Sequence, residues 1–113
     1  VLVSERVTPE TVAGALCAYV LFGLVWAGFY SLIELAEPGS IRLTEAARQS
    51  AQALWSELAY FSFVTQTTLG YGDVLPVSPP ARSFAAVQAL LAQIYLATLV
   101  ARLVAVAVSR RQA

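Results

Sequence analysis

The chain has no histidine, and its single cysteine, Cys17, lies in the middle of an apolar run. Metal centres built from His and Cys clusters are thereby excluded, as are nucleophile–histidine catalysis and an intramolecular disulfide. Cys17 reads as a small lipid-facing or packed side chain. Lysine is absent too: all seven cations are Arg, balanced by seven Asp and Glu. A phosphate-cradling loop would want the missing Lys, and zero net charge leaves no basic footprint for nucleic acid. The isolated acids lack partners of the right kind for catalysis, so no enzyme is expected. Charge of either sign is scarce, at 12% of 113 residues against roughly 25% in a soluble domain. Met is missing, position 1 included, so further segments are expected to flank these residues.

Apolar sequence is what the chain has in quantity: 58% of its residues are hydrophobic, and the mean hydropathy is +0.69. That balance points to lipid as the solvent. Glu5, Arg6 and Glu10 break up the N-terminus, which does not read as a signal peptide. From Thr11 to Ile33 no charge interrupts the run, and as a helix it would reach roughly 34 Å, enough for a hydrocarbon core of about 30 Å. A first crossing is expected over 11–35, with Trp26, Phe29 and Tyr30 as an aromatic belt at its far end. Residues 36–50 turn polar: Glu37-Pro38-Gly39-Ser40 is a turn signal, Arg42, Glu45 and Arg48 are solvated, and a helix start is expected at Thr44. A second crossing is expected over 79–109, with Ser78 as cap and Pro79 and Pro80 in the first turn. Ala85, Ala89, Ala92 and Ala97 would let helices approach closely in lipid.

The segment between the crossings carries the chemistry. Residues 51–67 read as a helix whose apolar stretch is broken by Glu57 and is too short to span. Leu69-Gly70-Tyr71-Gly72-Asp73 follows at once and cannot continue a helix. Non-helical backbone at membrane depth is tolerated only when buried in protein or lining a water-filled path. A short helix that enters, turns through glycines and leaves on the same side is a re-entrant loop.

Thr65-Gln66-Thr67-Thr68-Leu69-Gly70-Tyr71-Gly72-Asp73 resembles the signature of tetrameric potassium channels, whose usual form is Thr-Thr-Val-Gly-Tyr-Gly-Asp. The resemblance is strongest from about Ala53 to Arg82. It implies an all-α membrane protein with an outer helix (11–35), a turret (36–50), a re-entrant pore helix (51–67), a selectivity-filter loop (68–73) and an inner helix (79–109), assembled as a C4 homotetramer. It implies passive K+ conduction, with backbone carbonyls of Thr68, Leu69, Gly70 and Tyr71 replacing the ion's water shell and the Thr68 hydroxyl closing the inner end. Gly70 and Gly72 supply conformations that other residues avoid. Thr67, Asp73 and Val64 would support the filter, Tyr71 would pack against the pore helix, and Tyr60 or Phe61 stands at the place of an aromatic cuff that could hydrogen-bond Asp73. No cofactor is expected beyond permeant K+.

The chain also departs from the family's pattern. Leu69 replaces the commoner Val, and Val64 stands where some members carry a Glu that bonds to the aspartate. The inner helix has no Gly; the position of the usual hinge is Ala92. By the same count Ala92, Gln93, Leu96, Val100 and Val104 would line the cavity and inner mouth. Gln93 would face water or bond to a neighbouring helix, since a polar amide in lipid is costly, whereas Tyr95 and Thr98 are expected to be structural. Placing both termini in the cytoplasm of a multi-pass cell-membrane protein puts Arg6, Arg102, Arg110 and Arg111 inside against Arg42, Arg48 and Arg82 outside, a slight positive-inside bias. No Arg-rich sensor helix is present, and regulatory domains would lie outside this segment. The alternatives are a weakly selective cation channel of the same fold and a non-conducting membrane anchor or accessory subunit.

Overall fold

The computed structural model describes residues 7–112; Glu5 and Arg6, used above in the N-terminal and orientation arguments, lie outside the described residues. Helix α1 runs Pro9–Ala36, followed by strand β1 (Ile41–Arg42), a 3-10 turn (Glu45–Arg48), helix α2 (Ala51–Gln66), strand β2 (Leu75–Pro76) and helix α3 (Pro79–Gln112). Each long helix starts where its chemistry allows. The Thr8 hydroxyl accepts from the Thr11 N–H at 3.1 Å and Pro9 takes the first turn. Ser50 accepts from the Ala53 N–H at 3.0 Å to open α2, and Ser78 accepts from the Ala81 N–H at 3.3 Å to open α3. At 1.5 Å per residue, α1 and α3 reach about 42 and 51 Å and α2 only about 24 Å, against a hydrocarbon core of about 30 Å. Only 11% of the most apolar stretch of α1 and 6% of that of α3 is buried, so their apolar faces look outward rather than into a core.

An acid at a helix C-terminus opposes the helix dipole, yet Glu34 stands in the last turn of α1. Its carboxylate accepts from the Gly39 N–H (2.8 Å) and the Ile41 N–H (2.9 Å), closing the Pro38–Gly39 turn. Gly39 has φ +90°, a conformation that suits glycine. The chain then forms a two-residue antiparallel ladder, Ile41 opposite Pro76 and Arg42 opposite Leu75, a feature not foreseen from the sequence. The Ser40 carbonyl extends it by accepting from the Val77 and Ser78 N–H groups at 2.7 and 3.1 Å. The helix start expected at Thr44 is the 3-10 turn, and both carboxylate oxygens of Glu57 accept from the Thr44 N–H at 3.3 Å. Glu57 thus ties the polar loop to α2.

The core gathers at this same end: Tyr30, Ile41, Leu58, Phe61, Val74, Ala81 and Ala85. Trp26 donates from Nε1 to the Phe84 carbonyl at 3.1 Å and packs with Phe29 and Phe84. Tyr30 corrects the aromatic-belt expectation. It is fully buried, edge-on to Phe61 at 4.9 Å between ring centres, because its hydroxyl finds a partner inside the protein rather than at an interface. Lower down, α1 and α2 touch where Gly23 faces the Phe63 ring. Tyr95 bonds from its hydroxyl to the Ala15 carbonyl at 2.6 Å and stacks on Tyr19, fastening α3 to α1.

Candidate functional site

Helix α2 stops at Gln66 because its last carbonyls are taken by capping bonds. The Thr67 N–H and hydroxyl both donate to the Phe63 carbonyl, at 3.0 and 2.8 Å, and the Thr68 N–H donates to that of Thr65 at 3.1 Å. Beyond this cap, φ alternates in sign. Thr68 (61°), Gly70 (57°) and Gly72 (85°) are positive, and Leu69 and Tyr71 between them are not. Glycine enters this region freely; a β-branched residue does not, and the left-handed conformation costs Thr68 about 1–2 kcal/mol. Two bonds offset that strain: the Thr68 hydroxyl donates to the Thr67 carbonyl (2.6 Å) and the Gly70 N–H to the Val64 carbonyl (3.3 Å). Val64 itself is buried.

Asp73 closes the loop on its other side. One carboxylate oxygen accepts from the Tyr60 hydroxyl at 2.8 Å, the other from the Val74 N–H at 3.1 Å. Of the two aromatic candidates, Tyr60 therefore meets Asp73, while Phe61 turns into the core. The bond to Asp73, more than desolvation, holds the Tyr60 phenol above its ordinary pKa of 10.0. A raised pKa means that the bond's contribution is present in full below that value and is lost as pH rises through the shifted one. The thermal stability advantage of the native chain over Tyr60→Phe is accordingly expected to be flat through neutral pH and to vanish only in strong alkali. An advantage that declines on acidification from pH 8 to about pH 6, far from the Tyr range, would contradict it.

Other expected site residues fall on different surfaces. Leu69 and Tyr71 are 54% and 69% exposed, so Tyr71 does not pack on the pore helix of its own chain. Gln93, Val100 and Val104 share one exposed face of α3. Ala92 departs from the expectation of a cavity-lining residue: it is 2% exposed and lines an apolar groove with Tyr19, Phe22 and Tyr95. It sits about 100° around the helix from Gln93, and its small side chain is what admits α1. Leu96, half-buried, follows it on that covered stripe. Sequence reasoning missed Gln66 and Gln88, both fully buried. The signal was available, since both are amides in charge-free runs, like Gln93.

A short helix ending in a loop of alternating handedness, set between two helices of membrane length, defines the pore domain of an ion channel. The chain matches the ion channel family over residues 24–109 and belongs to it. It is 36% identical over 72 residues to the voltage-gated potassium channel Kch of Escherichia coli (strain K12), an alignment covering 64% of this chain and 15% of that protein. No solved structure matches it. Family membership makes the chain an ion channel rather than an enzyme and places its two long helices in a membrane.

Proposed function

We propose that four copies of this chain form a potassium-selective pore in a cell membrane, conducting K+ passively through the loop Thr68 to Gly72. The observation that supports it most is the sign alternation of φ at Thr68, Gly70 and Gly72 within the residues Thr-Leu-Gly-Tyr-Gly. Carbonyls of Thr68, Leu69, Gly70 and Tyr71 facing one axis from four chains would replace the hydration shell of a potassium ion without any fixed negative charge. The Thr68 hydroxyl commits its proton to the Thr67 carbonyl, which leaves its oxygen lone pairs to close the inner end. One chain supplies one wall. The exposed Leu69 and Tyr71 side chains are then covered by the neighbouring copy's pore helix. The C-terminal end of α2 carries no basic residue, so its partial negative charge favours a cation beside Thr67.

Below the filter, Gln93, Val100 and Val104 line the path, with Leu96 at its edge and Ala92 left out. Two crossings put both termini on one side. That side is the cytoplasm, where Arg6, Arg102, Arg110 and Arg111 outnumber Arg42, Arg48 and Arg82. Reconstituted into liposomes, the chain is expected to carry K+ in large excess over Na+ and to have the mass of four chains in detergent. Equal K+ and Na+ fluxes would replace this reading by the weakly selective channel. A monomer or dimer without flux would replace it by the membrane anchor.

A further inference from the structure

Gln66 and Gln88 are the largest fully buried amide side chains among the described residues. Gln66 ends α2, two residues before Thr68, and Gln88 lies on α3. The Tyr30 hydroxyl of α1 donates to Gln88 Oε1 at 2.7 Å. Gln88 Nε2 faces the Ser62 carbonyl (3.0 Å), the Ser62 hydroxyl oxygen (2.9 Å) and Gln66 Oε1 (3.2 Å). Ser62 in turn donates from Oγ to the Gly23 carbonyl at 2.6 Å, and Gln66 donates from Nε2 to the Tyr19 carbonyl at 2.8 Å. Among the described residues no buried side-chain polar atom lacks a partner.

The direction of every bond in this chain is forced. The Ser62 hydroxyl proton and the Gln66 amide nitrogen are both turned to carbonyls of α1, so each presents an oxygen to Gln88, and Gln88 must turn its NH2 toward them. Its oxygen is then left for Tyr30, which can only donate to it. Apolar packing is non-directional and tolerates a helix sliding or rotating by a fraction of a turn. A closed donor–acceptor chain in a low-dielectric interior does not, because a shift strands buried polar groups. Leu58 and Phe61 already supply apolar packing in the neighbouring layer, so burial alone does not call for amides here.

We propose that Gln88 is a positioning residue for the filter: through Gln66 it sets the height and rotation of the lower end of α2 against α3, and with it the base of the filter at Thr67 and Thr68. The inference rests on the potassium-pore reading above. It assigns ion discrimination partly to a side chain that touches neither ion nor filter.

The test compares the native chain with Gln88→Leu, Gln66→Leu, the double variant, Gln88→Asn and Tyr30→Phe, each reconstituted and assayed for K+ and Na+ flux, with assembly mass measured in parallel. Assembly is expected to persist while the K+/Na+ flux ratio falls about tenfold in either leucine variant, since both lose the Gln88–Gln66 bond. The double variant is expected to fall no further than either single one, since both cut one link. Unchanged ratios in assembled leucine variants would overturn the proposal, because a merely structural network would lower yield and leave discrimination intact. Should the leucine variants fail to assemble, Gln88→Asn, whose amide is one methylene too short to reach Gln66, decides in the same way: a lowered ratio supports the proposal and an unchanged one overturns it, while Tyr30→Phe, which keeps all of Gln88's donor bonds, is the control expected to keep the native ratio. A native chain without K+ preference would instead remove the functional reading beneath it.

Discussion

Gly70→Ala is expected to abolish potassium flux while leaving the chain folded. Gly70 has φ +57°, and a Cβ built there meets nothing nearer than the Thr68 carbonyl oxygen at 3.9 Å. The cost is therefore conformational rather than steric. The left-handed region costs an L-residue about 1–2 kcal/mol, and the proposed fourfold ring would incur it four times, about 4–8 kcal/mol in all. At roughly 1.4 kcal/mol per factor of ten, the conducting form falls by about three to six orders of magnitude. Nothing nearby can take up the strain, because Thr68 already occupies the same region. Gly14→Ala is the control: Gly14 lies in α1 with nothing within 4 Å, and alanine there should leave flux intact and stabilise the helix slightly. Liposome flux of the two variants measures the contrast. Native-like flux through Gly70→Ala would show that the loop does not need its left-handed turn.

The second large effect concerns Gly23. A Cβ at this position would lie 2.4 Å from Phe63 Cε1 and 2.9 Å from its Cδ1, closer than atoms approach. Gly23→Ala is expected to push α2 away from α1 and cost about 1–3 kcal/mol per chain, the usual range for overpacking. The displacement also stretches the bond from Ser62 to the Gly23 carbonyl, beside the Gln66–Gln88 pair. Phe63→Leu removes the offending ring atoms, so Gly23→Ala with Phe63→Leu should recover most of the lost stability. Thermal unfolding of the four proteins in detergent gives the cycle. Additive losses would show that the two residues do not meet.

Both effects involve glycine, yet only one was legible in the sequence. Gly70 stands in a short pattern whose spacing states its purpose, whereas Gly23 is one small residue in a long apolar run. Its partner lies 40 positions away on α2, and no local pattern announces it. The membrane helices were legible because an apolar run long enough to span leaves little choice of structure. The turret ladder was not, since two-residue strands carry no periodicity.

The same divide runs through the site. Counting along α3 gave the depth of Ala92 and Gln93 but not the face, and a step of about 100° separates a covered alanine from an exposed amide. Tyr30 was read from its depth near a helix end; its partner Gln88 is 58 residues away, beyond the reach of local reasoning. The cost of an amide in lipid singled out Gln93 and passed over Gln88, although the rule applied to both. What meets an amide, water or another side chain, is decided by tertiary packing.

The most direct measurement of the central claim is the reversal potential of the purified chain in a planar bilayer, with KCl on one side and an equal concentration of NaCl on the other. The account predicts current that reverses far from zero, on the side set by K+ permeability, and loss of that current in Gly70→Ala. Reversal near zero with open channels would contradict it.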